Sequence, residues 1–479
     1  MLRTNAFCAG LLVIGIGLGF SHPVLAQPSG YEGYQVVRIA VTNEADLYTV
    51  HDLAALGDDF QVWSEVIRIG PIDARIAPAA QPYLAISGLR YDVIVDDLQK
   101  YLDARFGGTR VRGFFDSLRT YNEHVQYMND LVATYPDLAE MVQVGTSVEG
   151  RALWALRISG PGDVKPAVLY HGAEHGNEAA GSSVVAYVAN YLLSHYSPGS
   201  IPSTTDLVDN VEWYLLPIMN PDGYVDYSRW NANGVDLNRN WDGPGSGESP
   251  WGGPYPFSEP ETTAIRDFLI AHPTVRVHVD LHGYVPWIMW VWGHIPDHCP
   301  EHDRYMAVGA EFRDLIAAAG GGTYDIGSIY DVAYFVSGCS TNYSYAELGL
   351  WAFGIEVVDD DMPDICQEFL QSMLYLGQWI REIDCNGNGV DDWDDIADGT
   401  SLDVNDNGIP DECELTAGDM NCDGAVNSYD IDGFICALSP QCDYEGLYPD
   451  CDRMLADCNG DGDVNSYDID GFIALVGGG

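Results

Sequence analysis

The strongest constraint on the fold is the alternation of strand-like and helix-like segments between residues 113 and 383. Strand patterns occur as ALWALRIS, PAVLYH, VEWYLLPIM, VRVHVDLH and WAFGIEVV. Between them, YNEHVQYMNDLVATY, GSSVVAYVANYLLSHY and PETTAIRDFLIAH have the apolar spacing of amphipathic helices. Because interleaved strands and helices pack as a sheet covered by helical layers, the sequence predicts an α/β domain with a central sheet.

The region before this domain contains two further segments. In residues 1–26, Arg3 precedes the apolar run AGLLVIGIGLGF, and small residues lead to Ala26, a pattern typical of a secretory signal peptide. Residues 27–112 combine strand-like YQVVRIAV and YDVIV with helix-like EADLYTVHDLAALG and DDLQKYLDARF, which predicts a small α+β unit. This unit ends in RFGGTRVRG, a link with the composition of an exposed, cleavable joint.

The region after the domain is acidic and repetitive. Residues 384–479 contain 24 Asp and Glu against the single Arg453, a large share of the net charge of -51. The motif D-x-N-x-N-G occurs at 384 and 403, and VNSYDIDGFI occurs at 426 and again at 464. Such charge argues against nucleic acid and anionic membrane surfaces as partners. No segment after the signal approaches the roughly 20 apolar residues that a membrane span needs.

The cysteines also point to export. Ten of the eleven follow residue 26, and seven of these lie between residues 385 and 458, so we expect disulfides in the acidic region. Cys299, Cys339 and Cys366 lie upstream. Both halves hold an odd number, so either one bridge crosses the boundary or one thiol in each half is free.

A metal site is suggested by HGAEHGNEAAG, residues 171–181, which contains H-x-x-E twice. A catalytic zinc site needs three protein ligands from His and carboxylates. The strand VRVHVDLHGY ends with His282, where α/β folds expose functional residues, whereas His278 lies deeper and is expected to be a packing residue. The residues alone leave open which H-x-x-E pair would join His282.

Two further groups have the residue types that hydrolysis needs. Glu356 is the lone charge in WAFGIEVV, and a buried carboxylate is costly unless a metal, an arginine or a catalytic duty compensates. Two interpretations remain open for Glu356, a buried ion pair and a carboxylate beside a metal-bound water. The segment SRWNANGVDLNRNW supplies Arg229, Asn238 and Arg239, whose side chains suit a carboxylate or an oxyanion, although a surface charge cluster would have the same spacing.

Six motifs occur in order, namely HGNE, NPDGY, GVDLNRNW, FSEPET, LHGY and FGIEV, and with them the chain resembles the zinc metallocarboxypeptidases of the carboxypeptidase A/B family. The resemblance implies a mixed central sheet flanked by helices in a catalytic domain over residues 113–383. It also implies that HGNE is the metal-binding motif. The zinc ligands would then be His175, Glu178 and His282, and His171 and Glu174 would be neighbours of the site.

The same resemblance assigns roles to the remaining site residues. It implies that Glu356 is the general base and that Arg229 stabilises the oxyanion. It further implies that Asn238 and Arg239 bind the terminal carboxylate of a peptide, Tyr334 closes over the substrate and Thr341 forms the base of the specificity pocket. Because Thr341 is neutral, we expect a preference for hydrophobic C-terminal residues. Residues 31–105 resemble the family's activation segment, so 27–112 is predicted to be a pro-domain with its joint.

The acidic region resembles two kinds of calcium-binding repeat. Residues 384–415 are similar to thrombospondin type 3 repeats, and residues 416–479 to a dockerin-like pair of EF-hand-type loops, with Asp in place of Glu at position 12. A solvated acidic linker would not need the repeated Gly at position 6. The implied calcium ligands are Asp384, Asn386, Asn388, Asp403, Asn405 and Asn407, then Asp419, Asn421, Asp423, Asn427 and Asp430, and finally Asp457, Asn459, Asp461, Asn465 and Asp468.

The sequence therefore predicts a secreted zinc carboxypeptidase that acts on peptides and proteins with a free C-terminus. Its tail would bind calcium and attach to a cohesin-like or cell-surface partner. One alternative is a cell-wall peptidase of the same superfamily that acts on peptidoglycan stems, although the pro-domain favours protein substrates. The other is a non-catalytic adhesion protein, against which the retention of all three zinc ligands with Glu356 argues.

Overall fold

The computed structural model describes most of the chain after the signal segment. Elements and contacts are given below for residues 30–64, 67–106, 113–162, 165–197, 204–247, 249–358, 362, 364–383, 390–392, 395–396, 399–401, 410, 417–421, 426–439, 442–448, 451, 453–458 and 464–477. The predicted signal peptide and residues 107–112 of the basic joint RFGGTRVRG lie outside these residues.

The N-terminal unit is an antiparallel four-stranded sheet with helices, as expected for a small α+β domain. Its elements are β1 (Gln35–Val41), α1 (Glu44–Ala54), β2 (Phe60–Val62), β3 (Gly70–Ile76), α2 (Gln81–Ile86), β4 (Arg90–Val95) and α3 (Leu98–Phe106). The strand order is β2-β3-β1-β4. Val37 and Ile39 of β1 are fully buried and pack in one core with Val50 of α1. The sequence pattern located β1, β4, α1 and α3 but not β2, β3 or α2.

The main domain is built on one mixed eight-stranded sheet. Its strands are β5 (Ala139–Thr146), β6 (Ala152–Ile158), β7 (Ala167–Gly172), β8 (Glu212–Leu216), β9 (Val275–Gly283), β10 (Trp287–Trp290), β11 (Asp325–Ser328) and β12 (Trp351–Val357). The order is β11-β10-β12-β9-β7-β8-β6-β5. The four strands β12, β9, β7 and β8 are parallel, and β6 joins them antiparallel. The α/β prediction is confirmed.

Helices cover this sheet. They are α4 (Tyr121–Thr134), α5 (Ala180–Ser194), α6 (Thr204–Asn210), α7 (Pro221–Val225), α8 (Pro260–Ala271), α9 (His302–Ala318), α10 (Ile329–Val332), α11 (Ser340–Leu348) and α12 (Asp364–Glu382). Helix α4 begins where its sequence predicts, because Thr120 and Glu123 form a reciprocal capping box. The strands β7 and β12 are buried throughout and β9 is buried except at Arg276, as expected for central strands with both faces covered.

The upstream cysteines differ from the expectation of paired thiols. Cys299, Cys339 and Cys366 are all free and buried. They lie in separate places, in the loop before α9, just before α11 and within α12. In the acidic region, Cys436 and Cys442 form a disulfide and Cys451 is also disulfide-bonded, whereas Cys458 is free.

The repeated C-terminal motif forms the same structure twice. A 3-10 turn at Ser428–Asp430 leads into α13 (Ile431–Leu438), and a second at Ser466–Asp468 leads into α15 (Ile469–Gly477), with α14 (Tyr444–Leu447) between them. Phe434 and Phe472 stack with ring centroids 3.9 Å apart. The two copies therefore pack against each other through equivalent residues.

The segment after α12 is hydrogen-bonded to the main domain. The carboxylate of Asp391 accepts hydrogen bonds from Arg276 at the start of β9 and from Trp351 at the start of β12. The amide of Asp392 donates to the carbonyl of Ile383 at 2.8 Å. The acidic region therefore begins against the amino ends of two central strands.

None of the helices that the structure describes is long and apolar enough to cross a membrane.

Candidate active site

The candidate residues lie at one edge of the sheet, at or just after the ends of three central strands. Parallel strands end at the same edge, where α/β proteins commonly bind ligands. His282 is near the end of β9, and Glu356 near the end of β12 lies directly beside it in the sheet register. The turn that follows β7 carries His175 and Glu178. Residues separated by more than 170 positions in the chain thus meet in one place.

The turn after β7 has an unusual backbone. Ala173 adopts a positive φ of 52°, a conformation that residues other than glycine seldom adopt. Gly176 lies against the backbone of Gly223, and a Cβ atom there would be only 2.0 Å from a backbone carbon. The HGNE turn therefore requires glycine at its second position, because any side chain would force the turn away from α7.

Three buried ligand atoms converge at this edge. His175 Nδ1 lies 2.9 Å from Glu178 Oε2, and His282 Nδ1 lies 3.2 Å from each of these atoms. Ligands about 2.1 Å from one zinc ion in tetrahedral geometry are about 3.4 Å apart, so the three atoms fit a single ion. Two imidazole nitrogens and a carboxylate oxygen are donors that zinc prefers, and three protein ligands leave a position for water or substrate.

The charges around this cluster keep its carboxylates ionised. Burial raises the pKa of Glu178, but the electrostatic effect of the neighbouring His175 and hydrogen bonds from both histidines outweigh burial and hold this pKa at about 2. Burial also opposes the ionisation of Asp280, but the neighbouring imidazoles of His282 and His171 lower its pKa well below the usual value. Carboxylates that remain charged can bind a cation.

Each histidine of the cluster has a carboxylate on its other ring nitrogen. His175 Nε2 lies 3.1 Å from Asp236 Oδ1, and His282 Nε2 lies 2.8 Å from Asp280 Oδ2. Sequence reasoning missed both aspartates. Asp236 lies in GVDLNRNW, and its pairing with His175 joins distant segments. Asp280 lies in VDLH, two positions before His282 on the same strand, so strand alternation was the signal that could have found it.

Glu174 lies behind the cluster rather than in it. It is fully buried, its Oε1 accepts a hydrogen bond from Trp241 Nε1 at 2.9 Å, and its Oε2 is 3.9 Å from His282 Nε2. Burial and the nearby charge of Asp280 raise the pKa of Glu174 well above the usual value. His171 is also fully buried, with Nδ1 3.3 Å from Asp280 Oδ1. These residues are neighbours of the HGNE cluster, as expected.

Arg229 borders the cluster on another side. Its Nε donates to Asp236 Oδ2 at 3.0 Å, and its Nη1 lies 3.5 Å from Glu178 Oε1. The residue is 1% exposed. The buried pairing with Asp236 holds the guanidinium rigidly next to the candidate metal ligands, where it can stabilise developing negative charge.

Asn238, Arg239 and Tyr334 lie together beside His282. Asn238 Nδ2 is 3.0 Å from His282 Nε2. Arg239 Nη1 donates to the Asn238 carbonyl at 2.7 Å, and Arg239 Nη2 donates to the Tyr334 hydroxyl at 3.3 Å. The structure thus brings together an amide, a guanidinium and a phenol, which are groups that can bind a carboxylate.

Thr341 lies near the start of α11, away from these polar groups. Its hydroxyl is 3.3 Å from Cys339 Sγ, and its methyl group faces Gly354 of β12. A buried apolar cluster lies next to it; its members are Met289, Ile329, Val336 and Cys339. One polar contact, between Asn342 Nδ2 and His294 Nδ1 at 3.3 Å, lies in the same region.

The N-terminal unit covers the site. Gln61 Nε2 donates to Ser228 Oγ at 3.1 Å, and the guanidinium of Arg68 lies 5.4 Å from the centre of the Tyr334 ring. A cavity of about 430 Å³ remains between the two domains, lined by Glu178 and Tyr334 on one side and by Trp63 and Arg68 on the other. Substrate access is therefore restricted while this unit is attached.

Comparison with known proteins agrees with this geometry. Residues 124–375 match the family model described as zinc carboxypeptidase, and residues 37–105 match the one described as carboxypeptidase activation peptide. The chain belongs to the zinc carboxypeptidase family. It is a peptide hydrolase of that family, preceded by an activation segment, and zinc is the metal of the family. The resemblance drawn from the six motifs is confirmed at this level.

Individual relatives cover both domains of this zinc carboxypeptidase. Carboxypeptidase A2 from Rattus norvegicus is 32% identical over 371 residues, which is 69% of this chain and 87% of that protein. Carboxypeptidase A1 from Sus scrofa is 28% identical over 389 residues, which is 73% of this chain and 91% of that protein. Among solved structures, thrombin activatable fibrinolysis inhibitor has a TM-score of 0.63 at 19% identity, covering 73% of this chain and 99% of that one. Its likeness concerns the fold alone.

The predicted calcium ligands are only partly within the described residues. Asp423, Asn459, Asp461 and the six ligands of residues 384–407 lie outside them. Of the others, Asp430 is fully buried, and its oxygens accept hydrogen bonds from the amides of Met420 and Asn427, each at 2.7 Å. Asp468 accepts in the same way from the amide of Asn465 at 2.8 Å. Calcium binding stays a prediction.

Proposed function

We propose that this protein is a secreted zymogen whose activated form removes C-terminal residues from peptides and proteins. The observation that carries the proposal is the convergence of His175 Nδ1, Glu178 Oε2 and His282 Nδ1, with Glu356 beside His282 on the neighbouring strand. These three residues would hold the zinc ion. When bound, zinc would polarise the scissile carbonyl and acidify a water molecule, so that water can attack at neutral pH.

Glu356 is proposed to move the proton. Its carboxylate takes a proton from the attacking water while the water oxygen bonds to the carbonyl carbon. It then gives the proton to the departing nitrogen as the carbon–nitrogen bond breaks. Burial of Glu356 at 1% exposure supports this role, because a carboxylate in an apolar strand needs a compensating duty.

Arg229 and Arg239 are proposed to act on different negative charges. Arg229 Nη1, next to Glu178, would stabilise the oxyanion that forms from the carbonyl. Arg239 would bind the free terminal carboxylate with Asn238, and Tyr334 would close over the bound residue. Only the last residue of a chain offers that carboxylate, so this pair would restrict cleavage to the C-terminal bond.

The specificity pocket is proposed to accept neutral, apolar side chains. Thr341 has no charge, and the adjoining buried cluster that includes Ile329 and Val336 is apolar. Burying a hydrophobic side chain contributes roughly 1.5 to 3 kcal/mol. Phe, Tyr, Leu and Met are therefore the expected C-terminal residues.

The acidic region is proposed to be a calcium-stabilised attachment module. The two copies of its motif expose equivalent apolar side chains, with Tyr429 78% and Tyr467 79% exposed, and Ile435 59% and Ile473 61% exposed. Exposed apolar residues repeated in this way favour a protein partner of the cohesin-like or cell-surface type.

One experiment tests the enzymatic core of the proposal. The secreted protein is cleaved within the basic joint at 107–112, its zinc and calcium are quantified, and hydrolysis of a blocked dipeptide with C-terminal Phe is followed with and without a zinc chelator. We expect one tightly bound zinc ion and activity that the chelator abolishes. Activity that persists in the metal-free protein would refute the proposal.

A further inference from the structure

The two ring nitrogens of His282 have different surroundings. Nδ1 faces the candidate metal ligands, 3.2 Å from both His175 Nδ1 and Glu178 Oε2. Nε2 points to the other side, where Asp280 Oδ2 lies at 2.8 Å. Asp280 precedes His282 by two positions on β9, and alternate residues of a strand point to the same side of the sheet. The strand itself therefore holds the carboxylate next to the imidazole.

Asp280 is held on its own far side as well. Ser340 Oγ donates to the same oxygen, Oδ2, at 2.8 Å, and His171 Nδ1 lies 3.3 Å from the other oxygen. Asp280 is 1% exposed, so water does not compete strongly for these bonds. Its position is thus determined by a strand, a hydroxyl group and two imidazoles.

We propose that Asp280 is a positioning residue for the metal centre, which holds the proton of His282 on Nε2 and so directs the lone pair of Nδ1 to the zinc ion. A neutral imidazole has one N–H and one lone pair, and an ionised carboxylate can only accept. Asp280 therefore selects the tautomer that can bind metal through Nδ1 and also restricts rotation of the ring. The proposal rests on the role of His282 as a zinc ligand.

Ser340 links this support to the residues proposed to bind the substrate carboxylate. Besides the bond from its hydroxyl to Asp280, its backbone amide donates to Asn238 Oδ1 at 3.1 Å. Asn238 in turn contacts His282 Nε2 through its amide nitrogen at 3.0 Å. Ser340, at the start of α11, thus supports both Asp280, which contacts the proposed metal ligand, and Asn238, which is proposed to bind the substrate carboxylate.

A second metal ion is the competing explanation, because Glu174, Asp280 and His282 also offer three ligand atoms within 4.8 Å of one another. The hydrogen-bond donor on Asp280 argues against it. Ser340 Oγ donates to Asp280 Oδ2, the oxygen that also lies 2.8 Å from His282 Nε2. A donor hydrogen placed there stabilises a carboxylate and would repel a cation, so the arrangement favours a hydrogen-bonded support.

The test measures zinc affinity rather than turnover. The full chain is loaded with calcium, so that zinc does not occupy the acidic repeats, and zinc is then titrated against a competing chelator. We expect Asp280→Asn to weaken zinc binding by about 10-fold to 100-fold, the usual effect of losing such a partner. Ser340→Ala, which removes one neutral hydrogen bond, should weaken it by about twofold to tenfold. The visible spectrum of the cobalt-substituted protein should change in Asp280→Asn.

Asp222→Asn is the matched control. Asp222 is also buried and accepts hydrogen bonds from Ser147 Oγ and Arg151 Nη1, but it does not touch the cluster. This variant should lose thermal stability and keep the wild-type zinc affinity. If Asp280→Asn does not fold, as judged by circular dichroism, the comparison of Ser340→Ala with the control decides the matter.

Three outcomes would overturn the proposal. Equal zinc affinity in wild type and Asp280→Asn would show that the contact does not support the ligand. Two zinc equivalents in wild type and one in Asp280→Asn would establish the second metal site instead. If wild type and His282→Ala bind zinc equally, the proposed function itself fails, so the two failures are distinguishable.

Discussion

Replacing Arg239 by alanine should abolish the preference for a free C-terminal carboxylate. Arg239 is 7% exposed, and its guanidinium is oriented by the Asn238 carbonyl at 2.7 Å and the Tyr334 hydroxyl at 3.3 Å. A bidentate pair with the substrate carboxylate comprises two charge-assisted hydrogen bonds, each contributing about 1.5 to 3 kcal/mol. Their loss is therefore about 3 to 6 kcal/mol, and since about 1.4 kcal/mol corresponds to a factor of ten, kcat/KM should fall by about 100-fold to 10,000-fold.

The assay compares two substrates that differ only at their end. One is a blocked dipeptide that ends in Phe as the free acid, and the other is its C-terminal amide. In the activated enzyme, Arg239→Ala should lose most of its activity on the acid and little of its low activity on the amide. Arg266→Ala is the control, because this half-buried arginine pairs with Asp267 and packs over the Phe257 ring rather than against the candidate site residues. Equal loss on both substrates would refute the reasoning and indicate a structural role for Arg239.

Three other changes test separate parts of the proposal. Glu356→Gln should lower kcat by at least about 100-fold with zinc still bound, because the amide cannot accept the proton; near-normal kcat at full zinc content would rule out its role as base. Thr341→Asp should shift the preference from C-terminal Phe towards Arg, measured as the ratio of kcat/KM values, whereas an unchanged ratio would place the pocket elsewhere. Removal of calcium should make residues 384–479 sensitive to protease, because their carboxylates repel one another without a cation; identical digestion with and without chelator, and no bound calcium, would contradict the assignment.

The central part of the fold could be predicted because its strands are continuous or alternating apolar runs. Strands β7 and β12 are buried on both faces and have almost no polar interruption. Strand β9 instead alternates Val and Leu with polar residues, which is the period of a strand. Strands β10 and β11 were missed because each has only four residues, too few for a periodic pattern. Helix α9 was also missed, although Tyr305, Val308, Phe312 and Ile316 follow helical spacing and are buried on one face.

The sequence could predict which residues form the candidate site, but not most of the hydrogen bonds and ion pairs between them. The motifs placed His175, Glu178, His282 and Glu356 together, and the structure brings them to one edge of the sheet. Pairing of Asp280 with His282 follows from local strand geometry, whereas pairing of Asp236 with His175 joins segments about 60 residues apart. The contact between Arg68 and Tyr334 likewise depends on how two domains pack. Pairings between segments that are distant in the chain leave no local pattern in the sequence.

The bonds from Asp391 to Arg276 and Trp351 place the start of the acidic region at the edge of the sheet opposite the candidate active site. They fasten the acidic region to the amino ends of β9 and β12, whose opposite ends carry His282 and Glu356. Six residues of extended chain separate Arg276 from His282, a distance of about 20 Å. If the tail binds a surface, the chain would therefore leave the catalytic domain on the side away from the candidate active site, and the attachment would begin about one strand length from the edge that peptides must reach.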